Sequence, residues 1–219
     1  MVDLRLYAIV DPERAAGADL AVLAGRVVAG GTTLVQLRDK LGDTRRLVAE
    51  ARALAATLRP LGVPLIVNDR VDVALAAGAD GVHVGQEDMA PEDARRLLGP
   101  QAVIGLSVKT PAQAVAAPLD VLDYVCIGGV FATGSKVNPD PPIGLAGLRA
   151  ILALIRARAP RLPVGAIAGI DETNAGEVMG AGADGVAVIS ALSLAPDPAA
   201  AARRLRAIVD RAAAGERAR

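Results

Sequence analysis

The chain has 219 residues, which is enough for one domain with a full hydrophobic core. Its 24 basic and 24 acidic residues cancel, so no overall charge favours nucleic acid or an anionic membrane surface, and any anion site must be local. One cysteine, Cys126, excludes an internal disulfide. The start lacks the features of a signal peptide, and every apolar run is interrupted before membrane-spanning length. We therefore expect a soluble, cytoplasmic protein without nucleic-acid or membrane partners.

Short runs rich in β-branched residues or leucine alternate eight times with longer segments whose apolar residues recur at helical spacing. The predicted strands are LRLYAIV from Leu4, TLVQL from Thr33, PLIVN from Pro64, GVHV from Gly81, AVIGLS from Ala102, DYVCIG from Asp123, PVGAIA from Pro163 and GVAVIS from Gly185. The helical segments include DTRRLVAEARALAATLR after the second strand and GLRAILALIRAR after the sixth.

Strands separated by helices of this length predict parallel pairing, because a parallel connection needs a long crossover. Eight such units predict the α/β class with a single (β/α)8 TIM barrel over residues 1–219, in which about the last eight residues fray from the final helix. An open doubly wound sheet is the alternative, and it would show fewer or less evenly spaced units.

The phrase GADGV occurs twice, at the starts of the predicted fourth and eighth strands. A duplicated half-barrel and two convergent helix-to-strand turns both account for the repeat. The two copies lead to different residues, since the first continues to Glu87 and Asp88 and the second to Ile189 and Ser190.

In TIM barrels the active residues follow the carboxyl ends of the strands, and the polar residues of this chain occupy such positions. In QLRDK after the second strand, Gln36, Arg38 and Lys40 alternate with other residues, so in extended backbone their side chains point the same way. The later strands lead to further polar residues, namely Asn68, Asp69, Asp88, Ser107 and the loop GGVFATGSKVNPDPP.

Taken singly, each of these segments has an ordinary structural interpretation. QLRDK is typical of a solvated strand exit, Asp69 could cap a helix beginning near Val71, and Asp88 could cap the helix PEDARRLL. The ATGSK segment could be a surface turn. Together, however, they place amides, hydroxyls, cations and two carboxylates around one mouth.

The residue types indicate phosphate chemistry. Arg38, Lys40 and Lys136 suit phosphate oxygens, while Asp69 and Asp88 suit Mg²⁺, which completes its shell with water and substrate phosphates. This combination predicts a diphosphate. A second anion site is predicted from the loop residues and from the last two strands, where TIM barrels often bind phosphate: Thr133, Gly134, Ser135, Gly165, Gly169, Ile189 and Ser190.

The segments QLRDK, VNDRVDVALAAGADGVHVGQEDM, TGSK and GADGVAVISAL, in this order and spacing, resemble the thiamine-phosphate synthase family from LYAIVD to VISAL. The resemblance implies a transferase that joins a pyrimidine methyl diphosphate to a thiazole phosphate, giving thiamine phosphate and pyrophosphate with Mg²⁺ as cofactor. Two residues depart from the family pattern, since Ser135 stands where a second threonine is common and Lys109 where histidine is common.

The resemblance also implies the role of each site residue. Those that would bind the pyrimidine diphosphate are Gln36, Arg38, Lys40, Asn68, Ser107 and Lys136, of which Arg38, Lys40, Ser107 and Lys136 would act in catalysis. Asp69 and Asp88 would bind magnesium. The thiazole phosphate or the product phosphate would contact Thr133, Gly134, Ser135, Gly169, Ile189 and Ser190.

Two alternatives remain open at this stage. A related barrel isomerase rearranges a thiazole carboxylate phosphate without magnesium, and a binding protein could keep the pocket without turnover. The two aspartates and the Arg38 and Lys40 pair favour the synthase, because the isomerase has no diphosphate to hold. We expect His83 to be a packed, hydrogen-bonded barrel residue and Cys126 a small core residue. The sequence leaves open whether the chain is a homo-oligomer.

Overall fold

The structure is a computed structural model that describes residues 1–134 and 140–217. Over these residues eight parallel strands form a closed barrel, in which each strand pairs with its neighbour in the sequence and the last pairs with the first. The strands are β1 (Leu6–Val10), β2 (Leu34–Leu37), β3 (Leu65–Asn68), β4 (Gly81–Val84), β5 (Val103–Val108), β6 (Tyr124–Ile127), β7 (Val164–Ile167) and β8 (Gly185–Val188). The TIM barrel prediction is confirmed, and the open sheet is wrong.

Helices surround the barrel on its outside. They are α1 (Leu20–Ala29), α2 (Thr44–Leu58), α3 (Val71–Ala77), α4 (Pro91–Leu98), α5 (Pro111–Ala116), α6 (Gly144–Arg158), α7 (Ala175–Met179), α8 (Ser190–Ser193) and α9 (Pro198–Arg217). The last of them is helical through Arg217, beyond the point where fraying was expected. The single domain over residues 1–219 stays a prediction. Among the helices of the described residues, none is long and apolar enough to cross a membrane.

The hydrophobic core has two layers because each strand is buried on both faces. Along β1, Leu6, Ala8 and Val10 pack with the surrounding helices, whereas Tyr7 and Ile9 belong to a cluster inside the barrel. This alternation follows from the period of two residues in a strand. The inner cluster therefore forms a floor beneath whatever binds at the barrel mouth.

Helix α2 shows how the outer layer forms. Asp43 caps its first turn by accepting a hydrogen bond from the Arg46 N–H at 2.9 Å. Its buried face contains the residues at the predicted helical spacing, namely Leu47, Ala51, Leu54 and Leu58.

One hydrogen-bonding device recurs at the amino ends of the strands. The side chain of the residue just before each even-numbered strand accepts a hydrogen bond from a backbone N–H at the start of the preceding strand. The four pairs are Thr33 with Leu6 (3.2 Å), Asp80 with Leu65 (2.8 Å), Asp123 with Ile104 (2.8 Å) and Asp184 with Val164 (2.7 Å).

Both copies of GADGV take part in this device. Asp80 and Asp184 each accept the hydrogen bond just described, and the glycine after each of them lies against a neighbouring strand. A Cβ at Gly81 would collide with the Val103 carbonyl, and one at Gly185 would collide with the Leu4 carbonyl. The repeated phrase thus provides the same hydrogen bond between strand starts at two places in the barrel, from β4 to β3 and from β8 to β7.

The eighth strand is shorter than predicted. The sequence pattern continued it through Ser190, whereas β8 ends at Val188 and α8 begins at Ser190. Ile189 has φ −112° and ψ −84°, which takes the chain out of the extended conformation.

Candidate active site

A cavity of about 310 Å³ opens at the carboxyl ends of the strands. The predicted site residues that line it are Gln36, Arg38, Lys40, Asn68, Asp69, Asp88, Ser107, Thr133, Gly169, Ile189 and Ser190. Gly134 and Gly165 are described but are not among the lining residues, and Gly165 lies within β7 rather than at its exit. Ser135 and Lys136 lie outside the described residues. The structure therefore brings residues from seven strand exits, β2 through β8, to one cavity.

The exit of β2 supplies three polar side chains to this cavity. Gln36 is only 2% exposed, the Arg38 side chain 14%, and the Lys40 side chain 46%. All three line the cavity, which confirms that their alternation points them the same way. The interpretation of QLRDK as a solvated strand exit is wrong for Gln36 and Arg38.

Arg38 forms an ion pair with a buried residue that was not predicted from the sequence. Asp11 follows β1 directly, is fully buried, and forms an ion pair with the Arg38 guanidinium through Oδ2. Its Oδ1 accepts a hydrogen bond from the Glu13 N–H at 2.9 Å. The available signal was an acidic residue immediately after a predicted strand, the same signal that identified Asp69.

Two carboxylates meet at the exits of β3 and β4. Asp69 has φ +61°, a left-handed conformation that aspartate adopts at lower cost than most residues, and its N–H donates to the His83 carbonyl at 2.8 Å. Lys40 forms an ion pair with Asp69. The Asp88 Oδ2 accepts a hydrogen bond from the Gly85 N–H at 2.7 Å.

The Asp88 carboxyl is influenced by the Asp69 carboxyl. Partial burial, together with the Asp69 carboxyl, raises the pKa of Asp88 above its ordinary value, although the Gly85 N–H and Lys40 act in the opposite direction. At the described starts of α3 and α4, neither helix has a side-chain cap. The capping interpretations of Asp69 and Asp88 are therefore wrong.

The paired carboxylates are a donor set that could hold a metal ion. Within the described residues no cluster of three or more His, Cys, Asp or Glu side chains could form a complete protein cage. Two carboxylates suit Mg²⁺, which takes a few protein oxygens and fills its octahedral shell with water and substrate phosphates. The residues present fit such an ion.

The exits of β7 and β8 form the opposite side of the cavity. Gly169 has φ +64°, and a Cβ there would collide with the Ala132 carbonyl and lie 2.8 Å from the Phe131 Cβ. Only glycine lets the β7 exit pack this closely against the β6 exit. The Asn174 Nδ2 fixes this turn by donating to the Gly169 carbonyl at 2.8 Å.

Ile189 and Ser190 reach the same side of the cavity from β8. They stand at the beginning of α8, and the Ser193 hydroxyl donates to the Ile189 carbonyl at 3.0 Å. The start of this short helix and Gly169 both line the cavity, at the strand exits where TIM barrels often bind phosphate.

His83 lines the floor of the cavity and is buried and hydrogen bonded through both ring nitrogens, as predicted. Cys126 is also buried, and burial raises the pKa of its thiol to about 12, which agrees with its prediction as a core residue. Lys109, whose role the sequence left open, lines the cavity and donates from Nζ to Asp140 at 2.8 Å.

A closed (β/α)8 barrel whose carboxyl mouth gathers cations, amides and two carboxylates is the arrangement of a TIM-barrel enzyme for phosphorylated small molecules. Residues 6–192 match the family model described as thiamine monophosphate synthase. The chain belongs to this family, and it is accordingly a transferase.

Relatives and a solved structure support this assignment, because each matches nearly the whole chain. The chain is 51% identical to the thiamine-phosphate synthase of Agrobacterium fabrum over 211 residues, covering 96% of each chain. It is also 51% identical to that of Xanthobacter autotrophicus, covering 94% of this chain and 96% of the relative. The solved structure of thiamine phosphate pyrophosphorylase from Pyrococcus furiosus is 38% identical in sequence with a TM-score of 0.83. The match covers 96% of this chain and 98% of that chain. The isomerase and binding-protein alternatives are not favoured.

Proposed function

We propose that the cavity binds a pyrimidine methyl diphosphate and a thiazole phosphate together and joins them into thiamine phosphate, releasing pyrophosphate. The observation that carries this proposal is the convergence of the predicted residues on one cavity. Cations and paired carboxylates line one side of it, and a glycine turn with a helix start lines the other. Two phosphorylated ligands can therefore be held with their reacting atoms between them.

The β2 side would hold the diphosphate. The Arg38 guanidinium offers a planar fork to phosphate oxygens, and its ion pair with buried Asp11 fixes the direction of that fork. Lys40 supplies a second cation, and Asn68 and Ser107 supply an amide and a hydroxyl at the same wall. The contributions predicted for Ser135 and Lys136 stay predictions.

Magnesium would be held by Asp69 and Asp88. When bound, the ion neutralises negative charge on the diphosphate oxygens as a Lewis acid. The Lys40 ammonium now contacts Asp69, and it is long and exposed enough to turn to the diphosphate while the carboxylate serves the ion.

The thiazole phosphate would lie against Thr133, Gly169, Ile189 and Ser190. Gly169 permits close approach of the backbone, and Thr133 and Ser190 bring hydroxyl-bearing residues to the cavity lining. This arrangement separates the two phosphate-binding regions of the cavity, so each substrate has its own anchor.

The reaction itself requires charge stabilisation and orientation. The bond between the pyrimidine methylene carbon and the diphosphate oxygen breaks, and its electron pair leaves with pyrophosphate. The lone pair of the thiazole nitrogen then forms the new carbon–nitrogen bond to the methylene. Because no proton is transferred, no general base is needed, and Arg38 and Lys40 act by stabilising the charge on the leaving group.

Turnover tests the proposal. Purified protein given both substrates and magnesium should release one pyrophosphate for each thiamine phosphate formed, and removing magnesium with a chelator should abolish the activity. A protein that makes no thiamine phosphate under these conditions would contradict the proposed function.

Two variants test the assignment of Asp69 and Asp88 as magnesium ligands. We expect Asp69→Ala and Asp88→Ala each to lower turnover by more than about tenfold, or about 1.4 kcal/mol of barrier, because charge on the leaving group is then less well neutralised. Glu87→Ala is the matched control, since this exposed acid adjoins Asp88 but is not among the described lining residues. Full activity in either aspartate variant would remove the assignment.

A further inference from the structure

A chain of hydrogen bonds crosses the barrel at the floor of the cavity. The Gln36 Nε2 donates to the Tyr7 hydroxyl, which is 2.8 Å from the Tyr124 hydroxyl. The Tyr124 hydroxyl is 2.9 Å from the His83 Nδ1, and the His83 Nε2 is 2.8 Å from the Ser107 Oγ. The hydrogen-bond chain therefore joins β2 to β5 through side chains of β1, β6 and β4. Four of its five members, Gln36, Tyr7, His83 and Ser107, line the cavity, and Tyr124 is the fifth.

The packing around the chain is specific. Gly105 lies between His83 and Tyr124 in the register of β4, β5 and β6, and a Cβ there would collide with the Tyr124 ring. The missing side chain lets the His83 and Tyr124 rings stack across β5, with centroids 5.4 Å apart and planes at 27°. Tyr7 meets Tyr124 edge to face at 5.8 Å.

The direction of each hydrogen bond in this series follows from the bond between Gln36 and Tyr7. The Gln36 Nε2 can only donate, so the Tyr7 oxygen accepts there. Among the described side chains, Tyr124 is then the partner for the Tyr7 proton. Tyr124 in turn donates to the His83 Nδ1, which places the remaining ring proton on Nε2, from which it is donated to the Ser107 oxygen. Burial raises the pKa of Tyr7 and Tyr124, which keeps both phenols protonated.

We infer that Gln36, Tyr7, Tyr124 and His83 fix Ser107 as a hydrogen-bond donor to the cavity, so that the site selects a ligand with an acceptor atom at that position. His83 is then neutral with its proton on Nε2. The opposite proton order would require the Gln36 carbonyl to face Tyr7, and Ser107 would then donate to His83 and accept from the ligand. Tyr7, Tyr124 and His83 are thus positioning residues.

The identity of the ligand rests on the proposed function, whereas the proton order does not. An acceptor atom at Ser107 would be either a diphosphate oxygen or a pyrimidine ring nitrogen. These two sources are separated by measuring the binding of pyrophosphate with magnesium and of the pyrimidine alcohol without phosphate.

The first test reads the proton position directly. His83 is the one histidine of the sequence, so a tag-free protein labelled with ¹⁵N gives an unambiguous imidazole signal by NMR. At neutral pH the long-range nitrogen–proton correlations should place the proton on Nε2 in the wild type. Tyr124→Phe should let the Nδ1-protonated form appear, because Nδ1 then loses the hydroxyl that donates to it. A wild-type proton on Nδ1, or an unchanged tautomer in Tyr124→Phe, would overturn the inference.

The second test connects the chain to binding. Tyr124→Phe, at a fully buried residue that is not among the lining residues of the cavity, should weaken binding of pyrophosphate or of the pyrimidine alcohol by about fivefold, and thiazole phosphate binding should stay within about twofold of the wild type. Ile66→Val is the matched control, since it alters the same inner cluster without removing a hydrogen-bonding group, and should leave all three affinities and the tautomer unchanged. Unchanged affinity of Tyr124→Phe for both pyrimidine-side probes would overturn the link to binding. Absence of turnover in the wild type would instead contradict the proposed function and leave the NMR result valid.

Discussion

Asp11 and Arg38 illustrate how a single buried residue can control a ligand contact. Asp11 is fully buried and pairs with Arg38, whose side chain retains 14% exposure at the cavity. A buried charge of this kind is stable only when it is paired and hydrogen bonded, and Asp11 meets both conditions. The pair therefore fixes the guanidinium fork before a substrate arrives.

Asp11→Asn tests this positioning. The amide keeps a polar group of the same size but loses the charge that orients Arg38, so kcat/KM for the pyrimidine diphosphate should fall by about tenfold. Steady-state kinetics should show a much smaller change in the KM of the thiazole phosphate. Asp120→Asn, at an exposed turn, is the control. Equal losses for both substrates would contradict the assignment of Arg38 to the diphosphate.

At this scale, the sequence predicted residues whose chemistry is visible in their order along the chain. Gln36, Arg38 and Lys40 were predicted from alternation, and Asp69 and Asp88 from their positions after strands. Asp11 was missed because an aspartate before proline is also typical of an ordinary turn. Its burial depends on contact with β2, which the local sequence does not contain.

At the scale of the elements, the starts of the strands are linked in pairs by side chains. Asp184 accepts the Val164 N–H and also forms an ion pair with Arg156 of α6. One carboxylate thus connects β7, β8 and the helix between β6 and β7. Asp123 makes the corresponding contacts with Ile104 and Arg95.

Removal of this link should destabilise the barrel. Asp184→Ala leaves the Val164 N–H without its acceptor, so the free energy of unfolding should fall by about 1–3 kcal/mol, measured by urea denaturation. Asp93→Ala removes a surface ion pair with Arg96 and should change it by less than about 0.5 kcal/mol. Similar losses in the two variants would show that the strand-start link has no special role.

The eight strands were predictable because each is a short run of β-branched or leucine-rich residues between helical patterns. The end of β8 was not, because Ile189 continues an apolar run while its backbone already turns into α8. Local composition does not distinguish an extended residue from one that bends to open a helix. The two copies of GADGV were correctly predicted to begin strands, but their shared hydrogen bond requires the neighbouring strand.

At the scale of the whole molecule, closure of the barrel determines the site. It brings the carboxylates of β3 and β4 beside the cations of β2 and places the glycine turn of β7 across from them. The sequence predicted this convergence once eight units were counted, because the carboxyl ends of all strands in a barrel meet at one mouth. The buried chain from Gln36 to Ser107 was beyond prediction, since it depends on which inward side chains meet across the barrel.

A structure with pyrophosphate and magnesium bound tests the central claim most directly. We expect the metal between Asp69 and Asp88, the diphosphate oxygens on Arg38 and Lys40, and the region of Gly169 and Ser190 left for the second substrate. A metal away from both aspartates, or pyrophosphate bound outside the cavity, would contradict the proposed site.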